Sequence, residues 1–391
     1  MAQVEIRDPS GGANQTGVRD HNERLVLSLI QRHGAIASAE IARRAGLSPQ
    51  TVSVILRRLE TDGLVAKGEP QRGKVGKPLT PVALRPEGVL SLGLKIGRRS
   101  CDLVLMDLAG ALRARHSTTY AYPTPGDVTD FLRSSLAKVH AGLGPDEIAR
   151  IAGVGIAAPF ELWNWLDTVK ASPHEMDAWR GFDFATEIAA IGDYRVHVSN
   201  DATAACAAEH TFGQGRGLAD YAYFFVGYFT GGGVVLNDAV YSGRSGNAGA
   251  FGTLPVIDTS LPDHQLIHNA SLYLLERALT AAGQDPMKIW QGPEGWDDIG
   301  APLDDWIAHA ARHLAVAAVA VSSVIDFQAV LIDGGFPPAV RARLVAAVRD
   351  RIDELDTRGI SPPDVREASV GAQARVIGAA SLPISAQFLL T

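Results

Sequence analysis

Five polar side chains, Gln50, Thr51, Ser53, Arg57 and Arg58, share one side of the segment Ser48-Pro-Gln-Thr-Val-Ser-Val-Ile-Leu-Arg-Arg-Leu-Glu-Thr-Asp-Gly-Leu-Val65 once it is wound as a helix. Amide, hydroxyl and guanidinium groups at this spacing can hydrogen-bond to base edges and phosphates, which is the chemistry of reading a DNA groove. Val52, Ile55, Leu56 and Leu59 take the other side at i, i+3, i+4 and i+7, a stripe that asks for a small core. Ser48 is placed to N-cap, Pro49 suits the first helical position, and Gly63 ends the helix.

The elements that must position this face are also legible. Leu25, Leu29 and Ile30 mark a short amphipathic helix ended by Gly34, Ser38 is expected to cap a second helix running to about Ala45, and Gly46 makes the tight turn. That is a helix-turn-helix, with the second helix offered to the major groove. Leu64–Lys67 and Pro81–Arg85 predict two strands around the basic tip Gln71-Arg-Gly-Lys-Val-Gly-Lys-Pro78, a wing from which Lys74 and Lys77 would meet phosphates. Residues 21–86 hold 11 Lys+Arg against 5 Asp+Glu, a net of +6 in a chain of −7, which leaves −12 on residues 87–391. A basic head on an acidic body suits contact with double-stranded operator DNA through one domain. A three-helix module with a solvated charged face is the plainer alternative.

The chain has 391 residues, 46% of them hydrophobic, which predicts more than one buried core. Met1 to Asp20 lacks the apolar core of a signal peptide and reads as a polar, disordered tail, and no run of 18 or more apolar residues is present. The expectation is a cytoplasmic protein with no membrane contact. Cys101 and Cys206 stand alone, so neither a disulfide framework nor a cysteine zinc site is indicated, and both are expected to pack as small apolar residues.

A linker at Pro86 leads into the body. Leu90–Gly97 and Cys101–Gly110 predict a hairpin turning over Arg98 and Arg99, followed by a helix over 128–143 and apolar strands over 151–158 and 194–199. The second half repeats the theme: strands over 221–225 and 232–236, helices over 271–282 and 302–325, a strand over 329–332 and a helix over 338–355. The alternation predicts an α/β body of two lobes, about residues 87–205 with the C-terminal segment and about 206–365, with a cleft between them.

Gly153-Val-Gly-Ile-Ala-Ala-Pro159, Trp179-Arg-Gly-Phe-Asp183, Asn200-Asp-Ala-Thr-Ala-Ala205 with Glu209, Gly231-Gly-Gly-Val-Val-Leu236, Tyr241-Ser-Gly-Arg-Ser-Gly-Asn-Ala-Gly249 and Asp333-Gly-Gly335 follow one another in an order and spacing that resembles the ROK family. That family unites bacterial sugar kinases with sugar-responsive repressors. Over roughly residues 21–391, the resemblance implies an actin-like, ribonuclease H-like ATPase body behind the winged helix of the repressor branch.

Departures from the kinase pattern are specific. Where a family kinase carries an Asp and a Gly-Gly-Thr turn for metal and nucleotide phosphates, this chain has Lys95 and Gly97-Arg98-Arg99. A phosphate cradle needs glycines that let backbone N–H groups approach oxygen, and an acid to keep the metal. The second phosphate turn, Gly-Thr-Gly in the kinases, is Gly227-Tyr228-Phe229, which fills the space a nucleotide needs. The family's sugar-clasping Glu and zinc-binding His align with Ala250 and Thr253, and its cysteine cluster is missing. No catalysis, cofactor or structural metal is therefore expected.

Asn200-Asp201 remains where the kinases keep their general base. Without a phosphate site Asp201 can still accept hydrogen bonds from a polyol, although capping the helix that follows explains the pair equally well. The segment holding His174 and Trp179 is where the family places a polar and an aromatic group near the sugar; a surface histidine and a packed tryptophan are the ordinary readings. Asn247 and Arg244 sit on a Gly/Ser-rich loop that would face the cleft. Phe160-Glu-Leu-Trp-Asn-Trp165 stands in place of a glycine, narrowing the pocket or packing as an insertion, and Asp333-Gly-Gly335 reads as a retained architectural turn. Together these features predict a DNA-binding repressor with a small-molecule effector, a sugar or derivative, acting as a homodimer or homotetramer. A sugar kinase with an accessory DNA-binding head, and a ligand-blind regulator whose cleft has closed around Phe160, Ala250 and Thr253, are the alternatives.

Overall fold

The computed structural model describes residues 15–69, 80–159, 173–257, 259 and 263–390. The chain divides into two compact units, Met1–Val89 with Ile384–Thr391, and Leu90–Pro383. The last eight residues, assigned from sequence to the body, thus lie with the first unit.

In the first unit, α1 (Gln15–His33), α2 (Ser38–Ala45) and α3 (Pro49–Thr61) surround a core that includes Val26, Leu27, Ile30, Ile41, Val52, Ile55, Leu56 and Leu59. Three short antiparallel strands, β1 (Ile36–Ala37), β2 (Val65–Lys67) and β3 (Pro81–Leu84), form a sheet in the order β1-β3-β2. Two expectations need correction. Residues 15–20 are helical rather than tail, because no Gly-Pro break separates them from α1 and Arg19 pairs with Glu23 one turn on, at 3.7 Å. Ser38 is inside α2 rather than capping it; Ala37 is the N-cap, held extended by its pairing with Pro81. At the other end of the unit, Arg24 donates to the carbonyls of Leu389 at 2.7 Å and Ser385 at 3.1 Å, and the Leu390 N–H donates to Ser28 Oγ at 2.9 Å. The Arg24 bonds end on carbonyls near the end of the C-terminal helix, where intrahelical donors run out, and Ser28 takes up a backbone N–H just beyond it.

The second unit contains two five-stranded sheets of identical topology. One has the order β6-β5-β4-β7-β8, built from β4 (Leu90–Ile96), β5 (Ser100–Asp107), β6 (Leu112–Thr119), β7 (Ile151–Ala158) and β8 (Val196–Asn200). The other has the order β11-β10-β9-β12-β13, from β9 (Tyr221–Val226), β10 (Thr230–Leu236), β11 (Ala239–Tyr241), β12 (Ala329–Gly334) and β13 (Val365–Glu367). In each, three antiparallel strands are extended by two parallel ones. The repeated theme in the sequence is therefore a duplicated topology. Its edge strands β6, β11 and β13 escaped the sequence reading, since β6 alternates half-buried with exposed polar residues and the other two are three residues long.

Helix α4 (Pro125–Ala141) covers the first sheet with Val128, Leu132, Leu136 and Val139. The second sheet is covered by α6 (Leu272–Ala281), α7 (Ala301–Val324) and α8 (Pro338–Asp353). By length and composition α7 could cross a membrane, but Leu303, Trp306, Ile307, Ala310 and Leu314 bury it in the lobe's core. Helices α5 (Asp201–Phe212) and α9 (Ala374–Phe388) approach their neighbours at backbone distance. A Cβ on Gly155 of β7 would sit 1.8 Å from the Ala379 carbonyl, and one on Gly378 would sit 1.8 Å from that of Ala204. Cys101 and Cys206 are buried free thiols, and burial pushes Cys101 up to about 12, which leaves it inert.

Candidate functional site

The recognition face forms as its sequence dictates. Ser48 Oγ accepts the Thr51 N–H at 3.0 Å, a cap worth about 1 kcal/mol, and Gly63 takes φ +75° after the helix ends. Gln50, Thr51, Ser53, Arg57 and Arg58 are all exposed. They are not equivalent. The Thr51 hydroxyl is within 2.8 Å of Ser48 Oγ, and Arg58 is drawn back by Glu23 at 3.1 Å and Asp62 at 3.7 Å. Arg57 is exposed and makes no ion pair among the described residues, unlike Arg58. Val54, 58% exposed on the same side as Ser53 and Arg57, is an apolar residue on this face that the sequence reading did not single out. Strands β2 and β3 form the base of the wing, whereas Lys74 and Lys77 lie outside the described residues.

In the second unit, a cavity of about 350 Å³ is lined by Asn200, Asp201, Asn247, Arg98 and Arg375 together with Phe225, Tyr228 and Phe229. Asn200 caps α5, its Oδ1 accepting from the N–H groups of Ala202 at 2.9 Å and Thr203 at 3.2 Å. Asp201, the first residue of the helix, is left to face the cavity and accepts from Arg375 Nη1 at 3.2 Å. Of this pair, Asn200 therefore caps the helix and Asp201 lines the cavity. Ala250 and Thr253 line the same cavity, as does Pro159.

The remaining sequence candidates separate. Arg244 is exposed and outside the cavity's lining. Trp179 is a correction: it is buried in the first lobe's core, packs edge-on against Phe182 with ring centroids 5.0 Å apart, and spends its indole N–H on the Pro123 carbonyl at 3.0 Å. His174 falls in the short helix Pro173–Asp177 with its side chain outside the described residues, as is the whole of residues 160–165. Arg375 was not anticipated; a lone Arg in the first turn of an Ala-rich helix carries no local signal of what it will face.

The positions that would cradle nucleotide phosphates are filled by contacts between them. Arg98 lies 4.2 Å from the Phe229 ring centroid and Arg99 4.9 Å from that of Tyr228, so the β4–β5 turn stacks directly on the β9–β10 turn. Arg99 also donates to both oxygens of Glu276, at 3.1 and 2.9 Å, and to the Ala121 carbonyl, while Glu276 accepts the Trp290 indole N–H at 2.6 Å. Lys95 is buried and turned inward onto Asp102 at 3.0 Å and Ser100 Oγ at 2.6 Å. Burial would raise the Asp102 carboxyl, but Lys95, Ser117 and Arg115 hold it below the usual carboxylate range. A cavity of about 1170 Å³ beside Lys95 and Asp102 extends to Gly335 and Gly371. Asp102 is already engaged there by Lys95, Arg115 and Ser117, and the β4–β5 turn carries Arg98 and Arg99 in place of small residues, so these positions do not fit a magnesium triphosphate. The Asp333 turn is structural: its buried carboxylate accepts from Tyr223, Gly371 N–H and Arg341. Among the described residues, no group of three His, Cys, Asp or Glu converges as a metal site.

Residues 91–266 match the ROK family, and residues 19–66 match a winged helix-turn-helix DNA-binding family. The chain is 24% identical over 375 residues to protein y4fQ of Sinorhizobium fredii, spanning 94% of this chain and 91% of that one. It is 24% identical over 254 residues to the DNA-binding transcriptional dual regulator NagC of Escherichia coli, across 63% of this chain and 61% of NagC. To the xylose repressor of Bacillus subtilis it is 25% identical over 283 residues, 71% of each. Among solved structures, a ROK family transcriptional regulator homologous to the E. coli MLC protein superposes with a TM-score of 0.67 at 21% identity, covering 95% of this chain and 97% of that one. A ROK family glucokinase from Streptomyces griseus superposes with a TM-score of 0.60 at 22% identity, covering 75% and 98%. At these identities the structural likeness shows the fold alone, that of the ROK sugar-kinase-like body, and the sequence matches place a ROK family domain over residues 91–266 behind a winged helix-turn-helix DNA-binding domain over residues 19–66.

Proposed function

We propose that this protein is a DNA-binding transcriptional repressor whose body senses a sugar or sugar derivative and performs no phosphoryl transfer. One observation carries the reading: the chain keeps a pocket around Asn200 and Asp201 while Arg98, Arg99, Tyr228 and Phe229 stack where nucleotide phosphates would sit. The exposed face of α3 and the wing supply the DNA contacts, with Gln50, Ser53 and Arg57 at base edges and Lys74 and Lys77 on phosphates. NagC and the xylose repressor, relatives along most of the body, are regulators by name, which supports the same class for this chain.

The mechanism is a population shift. A ligand bound at Asp201 and Asn247 favours one closure of the two lobes over another, and only a difference in affinity between the states can move the equilibrium. In a homodimer, such a shift changes the match to two operator half-sites. The test is an anisotropy titration of DNA from upstream of the protein's own gene, with and without a sugar panel. Salt-dependent, sequence-selective binding that at least one sugar shifts supports the proposal; binding no tighter than to random DNA removes it.

A further inference from the structure

We propose that the 350 Å³ pocket takes a sugar bearing an anionic group, a phosphate or a carboxylate, in preference to the neutral sugar; the inference rests on the sugar-sensing reading above. Among the described residues lining the cavity, the charged side chains are Arg98, Asp201 and Arg375, two guanidiniums against one carboxylate. They come from separate elements, the β4–β5 turn, the start of α5 and the first turn of α9. Among the described residues, the excess positive charge therefore arises where the fold gathers three segments rather than within any one of them.

Arg375 spends Nη1 on Asp201, but its buried Nε–H meets no acceptor. Burying such a donor unbonded costs about 1–3 kcal/mol, so this guanidinium is under-satisfied in the folded chain. Both guanidiniums are stacked on aromatic rings, Arg98 on Phe229 at 4.2 Å and Arg375 on Phe225 at 4.8 Å. Stacking fixes the plane of each guanidinium, a group whose forked N–H geometry matches phosphate and carboxylate oxygens. Burial draws Arg98 down to about 10 despite Asp201, and the neighbouring Arg375 adds to the fall; an anion between the two cations relieves that repulsion. The cavity volume suits a monosaccharide-sized ligand.

The test is calorimetry on the full chain with matched sets: glucose, glucose 6-phosphate and glucuronate; N-acetylglucosamine and its 6-phosphate; xylose and xylonate. In at least one set the charged member binds tenfold or more tightly than its parent, and the phosphate and carboxylate arms identify which anion is preferred. Arg375→Gln and Arg98→Gln then lose at least tenfold more affinity for the charged member than for its neutral parent. Should Arg98→Gln fail to fold, Arg98→Lys keeps the charge but loses the fork, and unchanged affinity in that variant overturns the proposal. Neutral sugars binding as tightly as their charged forms overturns it while leaving sugar sensing intact. Silence from every sugar, charged or neutral, at millimolar concentration overturns both.

Discussion

Replacing Arg99 with Ala tests whether a protein-built clasp has taken the place of bound nucleotide. Arg99 and Glu276 are 17% and 10% exposed, and the guanidinium meets both carboxylate oxygens as well as the Ala121 carbonyl and the Tyr228 hydroxyl. Removing it leaves Glu276 buried with the Trp290 indole as its remaining donor. Breaking a buried pair from one side costs about 3–5 kcal/mol, and the lost stack on Tyr228 adds about 0.5–2 kcal/mol. Part of this is penalty on the stranded carboxylate rather than worth of the pair, so Arg99→Leu combined with Glu276→Leu should cost less than the sum of the single changes by more than about 1 kcal/mol. Urea unfolding of the full chain, followed by tryptophan emission because Trp290 lies in the cluster, reads all four proteins of the cycle. A loss below about 1 kcal/mol in Arg99→Ala, or strict additivity in the cycle, would refute the clasp.

Other expectations are more local. Arg57→Ala should weaken operator binding and relax specificity at one base position by about 1–3 kcal/mol, whereas Lys74→Ala and Lys77→Ala should each lower the salt slope by about one without changing sequence preference; unchanged affinity in all three removes the docking face. Gly155→Ala places a Cβ 1.8 Å from the Ala379 carbonyl, a backbone atom that cannot swing away, so the body should lose solubility or cooperative unfolding, and a wild-type melting curve would contradict this. His197, His309 and His313 all have pKa values lowered by burial from the ordinary 6.5. They impose no penalty above about 6.5, and the penalty grows as pH falls from there toward their lower folded values, so melting temperature should drop between about pH 7.5 and pH 5. A flat profile across that range would show that these rings titrate as they do in the unfolded chain.

What could be read from sequence was what is local. The α3 stripe, the Ser48 cap and Pro49 are specified within 13 residues, and the structure reproduces all three. Strands of the body stood out where they were continuously apolar, as in β7 and β9, and faded where an edge strand carried alternate polar residues, as in β6. Helix α9 went unseen because its small residues serve close backbone packing and give no amphipathic stripe, and Pro383 interrupts its pattern. Asn200 and Asp201 were legible as a pair, but their division of labour was not, since which carboxamide or carboxylate caps a helix depends on one residue of register. Trp179 left two readings open, packed or near the ligand, and takes the packed one: a Trp with Phe182 and Phe184 close behind builds a core cluster as readily as it lines a pocket. Arg98 and Arg99 lie about 130 residues from Tyr228 and Phe229. Sequence predicted that each turn would be too full for phosphate; only the fold shows that they fill it with one another.

Phosphoryl transfer is the property on which the account is most exposed. Full-length protein at micromolar concentration, incubated with magnesium ATP and glucose, N-acetylglucosamine or xylose, can be followed by phosphorus NMR for sugar phosphate and ADP. No sugar-dependent product is expected above the uncatalysed background, in wild type and Asp201→Asn alike. Turnover in the wild type that Asp201→Asn abolishes would contradict it, because a working catalytic carboxylate requires the nucleotide seat that Lys95, Arg98, Arg99, Tyr228 and Phe229 are held to have replaced.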